Sequence, residues 1–301
     1  MTTNKVRIKE VGPRDGLQNE KNYISTTDKI AFIEKLSETG LDYIEVTSFV
    51  HPKWIPQLAD AVDVLCNLKR RKEITYAALV PNIKGLERAL QVHIDEVSIF
   101  MSASEGHNLS NINKTISDTF PVLKEVVEEA RLNNLAVRGY VSTVIGCPYD
   151  GPVKPEQVLY VVDHLIDMGV KEISLGDTIG VGVPTDIERL LEVLLKKYPP
   201  YLFAMHFHDT YGTAIANIVK SLEMGILTFD SSIGGLGGCP YAKGASGNVA
   251  TEDVHYLFTK MGKQTGLNAK KLLEAAYFIE SKLGKTLNTK QLAISRSEVN
   301  H

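Results

Sequence analysis

Two histidines stand two residues apart in Met205-His206-Phe207-His208-Asp209-Thr210-Tyr211-Gly212, just after the apolar, β-prone run Tyr201-Leu202-Phe203-Ala204. On a strand, residues i and i+2 point to the same side. Two imidazoles aimed at one point can share a metal ion, because neutral imidazole is a common ligand. Taken alone, the pair also fits a hydrogen-bonded or solvated strand end. Asp15, in Gly12-Pro13-Arg14-Asp15-Gly16, offers a carboxylate, and Asn248 could add a carbonyl oxygen. Two imidazoles and one carboxylate leave open positions on an octahedral ion, as a catalytic site requires and a closed structural site does not. No thiolate pair accompanies them, which argues against structural zinc. The mixed nitrogen and oxygen shell suits Mg2+ or Mn2+, with Zn2+, Co2+ or Fe2+ admitted on ligand type.

Three further residues carry reactive groups. Arg14 precedes Asp15, Asp177 lies in Gly176-Asp177-Thr178, and Cys239 lies in the glycine-rich run Gly234-Gly235-Leu236-Gly237-Gly238-Cys239-Pro240-Tyr241. Each has an ordinary alternative: a surface charge, a turn former, a small residue in a tight connection. Glycine lets a loop approach a ligand closely, so the run reads as a cover that brings a thiol over the site. Cys66 falls in a helical pattern and reads as core, and Cys147 is ambiguous. His51, His93, His107, His164, His255 and His301 lack partners at ligand spacing and read as surface or packing residues.

These residues need a frame that brings distant stretches together, and the pattern supplies one. Strand-like runs fall at Val6–Val11, Tyr43–Thr47, Ile74–Leu79, Glu96–Phe100, Ala136–Val144, Glu172–Leu175, Tyr201–Phe207 and Leu227–Asp230. Helical runs alternate with them: Thr26–Thr39, Ile55–Leu68, Asn82–Gln91, Ser117–Asn133, Lys154–Met168, Thr185–Lys197, Thr213–Met224 and Thr251–Met261, with further helix at Asn268–Leu283. Eight β–α repeats predict an α/β TIM (β/α)8 barrel. The expectation is one catalytic domain over residues 1–301, with a helical C-terminal extension from about 265 packed on it. An open doubly wound sheet is the alternative, but no Gly-x-Gly-x-x-Gly follows the first strand. In a barrel, active sites form at the C-terminal ends of strands. Arg14 and Asp15 follow the first strand, Asp177 the sixth, the histidines end the seventh, and the glycine run follows the eighth. The first and seventh strands are both odd-numbered, and alternate strands share an inward layer, so Asp15 and the histidines can face one axial point.

Composition narrows the class. The chain has 301 residues, 44% apolar and 23% charged, with net charge -3. That balance predicts no nucleic-acid partner. The three cysteines are too few and too scattered for a disulfide framework. No apolar run approaches the roughly 20 residues that cross a bilayer. No secretory leader precedes Val6, so a cytoplasmic location is expected.

At this point the residues resemble a known family. Asp230-Ser231-Ser232-Ile233 followed by the glycine run through Tyr241 resembles the cysteine-loop signature of the 3-hydroxy-3-methylglutaryl-CoA lyase family. Gly12-Pro13-Arg14-Asp15-Gly16-Leu17-Gln18-Asn19-Glu20, Arg138-Gly139-Tyr140-Val141-Ser142, Gly176-Asp177-Thr178-Ile179-Gly180 and the histidine segment are similar to further motifs of that family, in its order. The Arg-Asp, Gly-Asp-Thr and His-x-His elements are shared with a wider group of barrel metal lyases and condensing enzymes. The family's organellar members carry targeting sequences that this chain lacks, so it resembles a bacterial or otherwise cytoplasmic member.

The resemblance implies cleavage of 3-hydroxy-3-methylglutaryl-CoA to acetyl-CoA and acetoacetate, a step of leucine breakdown and ketone body formation. It implies a divalent cation, Mg2+ or Mn2+, held by Asp15, His206, His208 and Asn248, and a homodimer acting on a small acyl-CoA. Asp177 becomes the candidate base for the tertiary hydroxyl. Arg14 would stabilise the enolate at the thioester oxygen. Cys239 would deliver a proton to the carbanion carbon. Glu45, at the end of the second strand, would hold Arg14. Gln18, Ser48, Asn111 and Asn113 are expected as substrate contacts or supports. A Claisen-condensing synthase of the isopropylmalate or homocitrate type would use the same metal site. Cys239 in its glycine loop, and the lack of an added regulatory domain, favour the lyase. A non-catalytic metal-binding scaffold would have no need of Arg14 or Cys239.

Overall fold

The structure, a computed structural model, describes residues 4–237 and 247–299. Eight parallel strands close into a barrel in sequence order: β1 Arg7–Glu10, β2 Tyr43–Ser48, β3 Thr75–Leu79, β4 Glu96–Ser102, β5 Ala136–Ser142, β6 Glu172–Asp177, β7 Phe203–Phe207 and β8 Thr228–Ser231. Closure is made by β1 against β8, where Arg7 pairs with Thr228 and Glu10 with Ser231. The expected TIM barrel is therefore observed, and the open sheet is excluded because no edge is left unpaired.

Around it run α1 Thr26–Ser37, α2 Ala61–Asn67, α3 Ile83–Leu90, α4 Glu105–Ile112, α5 Ile116–Leu132, α6 Pro155–Met168, α7 Pro184–Leu195, α8 Ala214–Glu223 and α9 Thr251–Lys260, then α10 Ala269–Leu283 and α11 Lys290–Val299. Local chemistry sets several ends. The Ser25 hydroxyl accepts the Asp28 N–H at the start of α1, and the Asn82 carbonyl accepts that of Gly85 at the start of α3. Gly169 ends α6 at φ 100°. Ile187, Leu190, Leu191 and Leu194 of α7 form one buried stripe at helical spacing. Burying each stabilises the layer by about 1.5–3 kcal/mol. α10 docks on the α1 end, where Thr39 accepts the Asn268 N–H at 2.8 Å. Among the described residues no helix is long and apolar enough to cross a membrane.

Some boundaries moved for identifiable reasons. Tyr201 and Leu202 lie in a 3-10 turn, Pro200–Leu202, so β7 begins at Phe203. Proline supplies no N–H to a ladder but suits the first position of a turn. The expected helix Ile55–Leu68 divides into a turn, Pro56–Leu58, and α2. α4 has too sparse an apolar pattern to be read from periodicity, and its start is set by Ser104 accepting the His107 N–H.

The barrel interior carries charge. Arg138 is fully buried and donates to Glu172 at 2.6 Å and to Asp230 at 2.7 Å. Lys9 also donates to Glu172, at 2.6 Å. Buried pairs of this kind repay little beyond their own desolvation, so their presence points to positioning rather than to net stability.

Candidate metal centre

Three elements meet at the C-terminal mouth. After β1 the chain makes a wide helical turn, Gly12–Gly16, in which the Asp15 and Gly16 N–H groups both reach Val11 O, at 2.7 and 3.2 Å. A Cβ on Gly16 would sit 2.7 Å from Ser232 Oγ and 2.8 Å from Leu236 Cβ, so only glycine lets this turn pack under the root of the glycine run. β7 delivers His206, and the chain leaves the strand at His208, which bridges Asn248.

The side chains converge as their types required. His206 Nε2 lies 3.9 Å and His208 Nε2 4.0 Å from Asp15 Oδ2. The ligand atoms of the three residues all lie within 4.8 Å of one another. Asn248 donates from Nδ2 to Asp15 Oδ2 at 2.6 Å and to Leu236 O at 3.1 Å. Its buried Oδ1 has no partner among the described residues, which leaves that carbonyl uncommitted.

The protonation states suit a cation. Burial, helped by the neighbouring His206, pushes His208 down to about 4, so its imidazole is neutral. Burial alone would raise Asp15, but the charge of Arg14 and then the two histidines hold it at about 2. Neutral imidazole and ionised carboxylate are the forms that bind metal, so this donor set fits a divalent ion.

Arg14 is clamped beside the cluster. It donates from Nη1 to Asp15 Oδ1 at 2.6 Å and from Nε to Glu45 Oε2, and its guanidinium lies 5.2 Å from the Tyr140 ring centre. Burial works against its charge, but Glu45 and then Asp15 keep it well above its ordinary value. Glu45 is fully buried on β2, next to a register shift between Glu45 and Thr47 in the pairing with β3.

A cavity of about 980 Å3 opens over this cluster. Arg14, Asp15, Gln18, Asn111, His206 and His208 all line it. Lys53 and Lys114 stand at its mouth with the exposed Trp54. His51, exposed, and His107, buried, also line the cavity.

Three expected residues fall elsewhere. Asp177 does not line the cavity; its carboxylate accepts the N–H of Gly182 at 2.7 Å and of Val181 at 3.3 Å, inside its own loop. Burial raises its pKa, against those backbone donors. The amides after β6 take the carboxylate, and the part expected of Asp177 as a base belongs to the proposed reaction. Ser48 Oγ accepts the Val50 N–H at 3.1 Å, and Asn113 caps α4 in the left-handed conformation at φ 55°. Neither lines the cavity. Cys239 lies outside the described residues.

Sequence reasoning passed over Asp230 and Arg138 as site residues. Asp230 Oδ2 lies 3.4 Å from His206 Nδ1. Both residues stood in stretches already singled out, and the available signal was a charged residue inside a strand, where charge is costly unless paired.

The HMGL-like family pattern matches residues 5–279. A hydroxymethylglutaryl-CoA lyase of Bacillus subtilis is 55% identical over 293 residues, covering 97% of this chain and 98% of that protein. The crystal structure of the Bacillus subtilis HMG-CoA lyase superimposes with a TM-score of 0.97 at 55% identity, over 98% of this chain and 99% of that one. An HMG-CoA lyase from Acinetobacter baumannii, in complex with coenzyme A and 3-methylmalate, superimposes at 0.91 with 36% identity, over 95% of this chain and 94% of that one.

Proposed function

The chain belongs to the HMGL-like family, and from that premise we infer that it cleaves 3-hydroxy-3-methylglutaryl-CoA to acetyl-CoA and acetoacetate. The observation that carries this reading is the Asp15–His206–His208 cluster with Arg14 locked 2.6 Å from Asp15 at the floor of a large cavity. The cavity is at the upper end of the volumes that take small-molecule ligands, as a bulky acyl-CoA needs.

Asp15, His206 and His208, with the Asn248 carbonyl, would hold a divalent cation, Mg2+ or Mn2+. When bound, such an ion supplies positive charge that acidifies a hydroxyl group nearby. The tertiary hydroxyl passes its proton to a base, for which Asp177 is the candidate, and the bond between that carbon and the methylene of the thioester arm breaks. The electron pair passes to the acetyl-CoA enolate, and the hydroxyl carbon becomes the ketone of acetoacetate. Arg14 is the fixed cation that meets the enolate charge at the thioester oxygen. Glu45 and Tyr140 hold its guanidinium, so no reorganisation is needed as charge develops. Cys239, from its place in the glycine run, delivers a proton to the methylene carbon; a free thiol with a pKa of about 8.5 is protonated at neutral pH. Gln18 and Asn111 face the substrate, and Lys53 and Lys114 suit the phosphates of the coenzyme. A homodimer, a cytoplasmic location and a place in leucine degradation belong to this reading through the family resemblance.

The test is product formation from 3-hydroxy-3-methylglutaryl-CoA under reducing conditions, with Mg2+ or Mn2+ and with a chelated control. Acetoacetate and acetyl-CoA should appear only with metal. Carbon–carbon bond formation from acetyl-CoA and a 2-oxo acid, with no cleavage, would replace this reading by the condensing one.

A further inference from the structure

We propose that Asp230 is a positioning residue for the metal centre: its carboxylate keeps the proton of His206 on Nδ1 by accepting from that N–H, which leaves Nε2 bare and aimed toward Asp15. The inference rests on the reading of Asp15, His206 and His208 as metal ligands. It assigns work to a carboxylate that the cleavage chemistry leaves unused.

A neutral imidazole has one proton for two nitrogens, and the partner of one nitrogen decides the state of the other. His206 stands between two carboxylates. Its Nε2 lies 3.9 Å from Asp15 Oδ2, and its Nδ1 lies 3.4 Å from Asp230 Oδ2. Nδ1 is buried and makes no formed hydrogen bond among the described residues, and the Asp230 carboxylate oxygen 3.4 Å away stands as the acceptor beside it. If the proton sat on Nε2, it would occupy the position a cation needs. The side that takes the proton must therefore be the Asp230 side.

The barrel builds that side rigidly. Asp230 and His206 are register partners on adjacent strands, β8 and β7, so the ladder itself sets them side by side. Asp230 Oδ1 accepts from Arg138 Nη2 at 2.7 Å, and Oδ2 accepts from Ser174 Oγ at 2.7 Å. Arg138 is held in turn by Glu172 at 2.6 Å and lies 4.7 Å from the Tyr140 ring centre. Asp230, Arg138 and Ser174 are all fully buried. A charged chain thus crosses the barrel and ends on the back of one ligand. His208, the other imidazole, has no carboxylate within 4 Å of its Nδ1 among the described residues; its one carboxylate neighbour, Asp15, is met through Nε2. The two histidines are therefore inequivalent, with His206 the pre-set ligand. Carboxylate–histidine–metal arrangements fix the tautomer and raise ligand basicity, and removing the carboxylate typically weakens metal affinity 10- to 100-fold.

The experiment is Mn2+ binding to the purified enzyme by electron paramagnetic resonance, for wild type and Asp230→Asn, with thermal melts of both. An amide has one acceptor atom and cannot satisfy Arg138, Ser174 and His206 together. Its NH2 against His206 would drive the proton to Nε2. The expected result is a 10- to 100-fold weaker Kd for Mn2+ in D230N with a retained cooperative melt. A wild-type Kd in D230N would overturn the proposal and leave the metal centre standing. Failure of the wild type to bind Mn2+ would overturn the metal reading itself. Should D230N not fold, nitrogen-15 spectra of histidine-labelled wild type, metal-free, read the tautomer directly. A protonated Nδ1 and bare Nε2 on His206 support the proposal, and the reverse tautomer overturns it.

Discussion

Asp15 and Asp230 on one hand, and Glu10, Glu252 and Asp177 on the other, are acidic groups withdrawn into the same barrel, and their protonation is driven in opposite directions. Burial works to raise all five. Asp15 meets Arg14, and Asp230 meets Arg138, and both are held far below the usual carboxylate range. Glu10 finds neutral donors, the N–H groups of Gly12 and Ile233 and the hydroxyl of Thr251, and burial pushes it up to about 7. Glu252 accepts from Gly234 N–H and the Thr289 hydroxyl and is likewise pushed up to about 7. Asp177 is raised too, in its ring of amides. The difference teaches which acids serve the centre. Those that share space with a cation stay ionised and can bind or orient, whereas those that meet only neutral donors hold the backbone that frames the mouth.

The comparison is broken most forcefully at Arg14. Arg14→Gln should lower kcat by about 10³-fold, since a charge facing a developing enolate acts mainly in the transition state. It should also leave Glu45 buried without its cation, a stability cost of about 3–5 kcal/mol. Steady-state kinetics and a melt read both effects, and a change confined to KM would contradict the role of Arg14. His206→Ala should abolish Mn2+ binding at concentrations that saturate the wild type, together with metal-dependent turnover. Full activity in metal-depleted buffer would remove His206 from the ligand set.

Glu10 sharpens the other side. Its folded pKa of about 7 lies above the ordinary value of 4.5, so between these the native state binds more protons than the unfolded state. Its contribution to stability is therefore full below pH 4.5 and is lost as pH rises through 7. Glu10→Gln lacks that titration. The unfolding free energy of wild type minus that of E10Q should fall by about 3 kcal/mol from pH 4.5 to pH 8, at ~1.36 kcal/mol per unit. Urea melts at both pH values check this, and a constant difference would mean that the three donors keep Glu10 ionised throughout. The smallest effect on stability is expected at Asp177. Asp177→Asn should cost about 1–3 kcal/mol through its lost backbone acceptors. As the candidate base it should also lose turnover with a change in the shape of the pH profile, and an unchanged profile would remove Asp177 from that role.

Much of this was legible in the chain. The barrel followed from alternating periodicities, and Asp15, His206 and His208 from ligand types at the ends of odd-numbered strands. Arg14 was legible by adjacency to Asp15. The position of Asp177 at the end of β6 is given by strand period, but the direction of its carboxylate is set by the amides of Val181 and Gly182, which only the folded loop brings within reach. Ser48 shows the same limit: its short polar side chain bonds to nearby backbone, the Val50 N–H.

By itself, the order of residues determined the secondary structure, its closure into a barrel and the chemical types that surround the centre, because period-2 and period-3.6 patterns and ligand softness are local properties. Tertiary structure alone decided which nitrogen of His206 faces Asp15, which acids meet a cation and which meet only amides. Those outcomes depend on distances between residues such as Arg138 and Asp230, 92 positions apart in the chain and 2.7 Å apart across the barrel. No local pattern encodes such a distance, because the field of a charge acts through space and not along the chain.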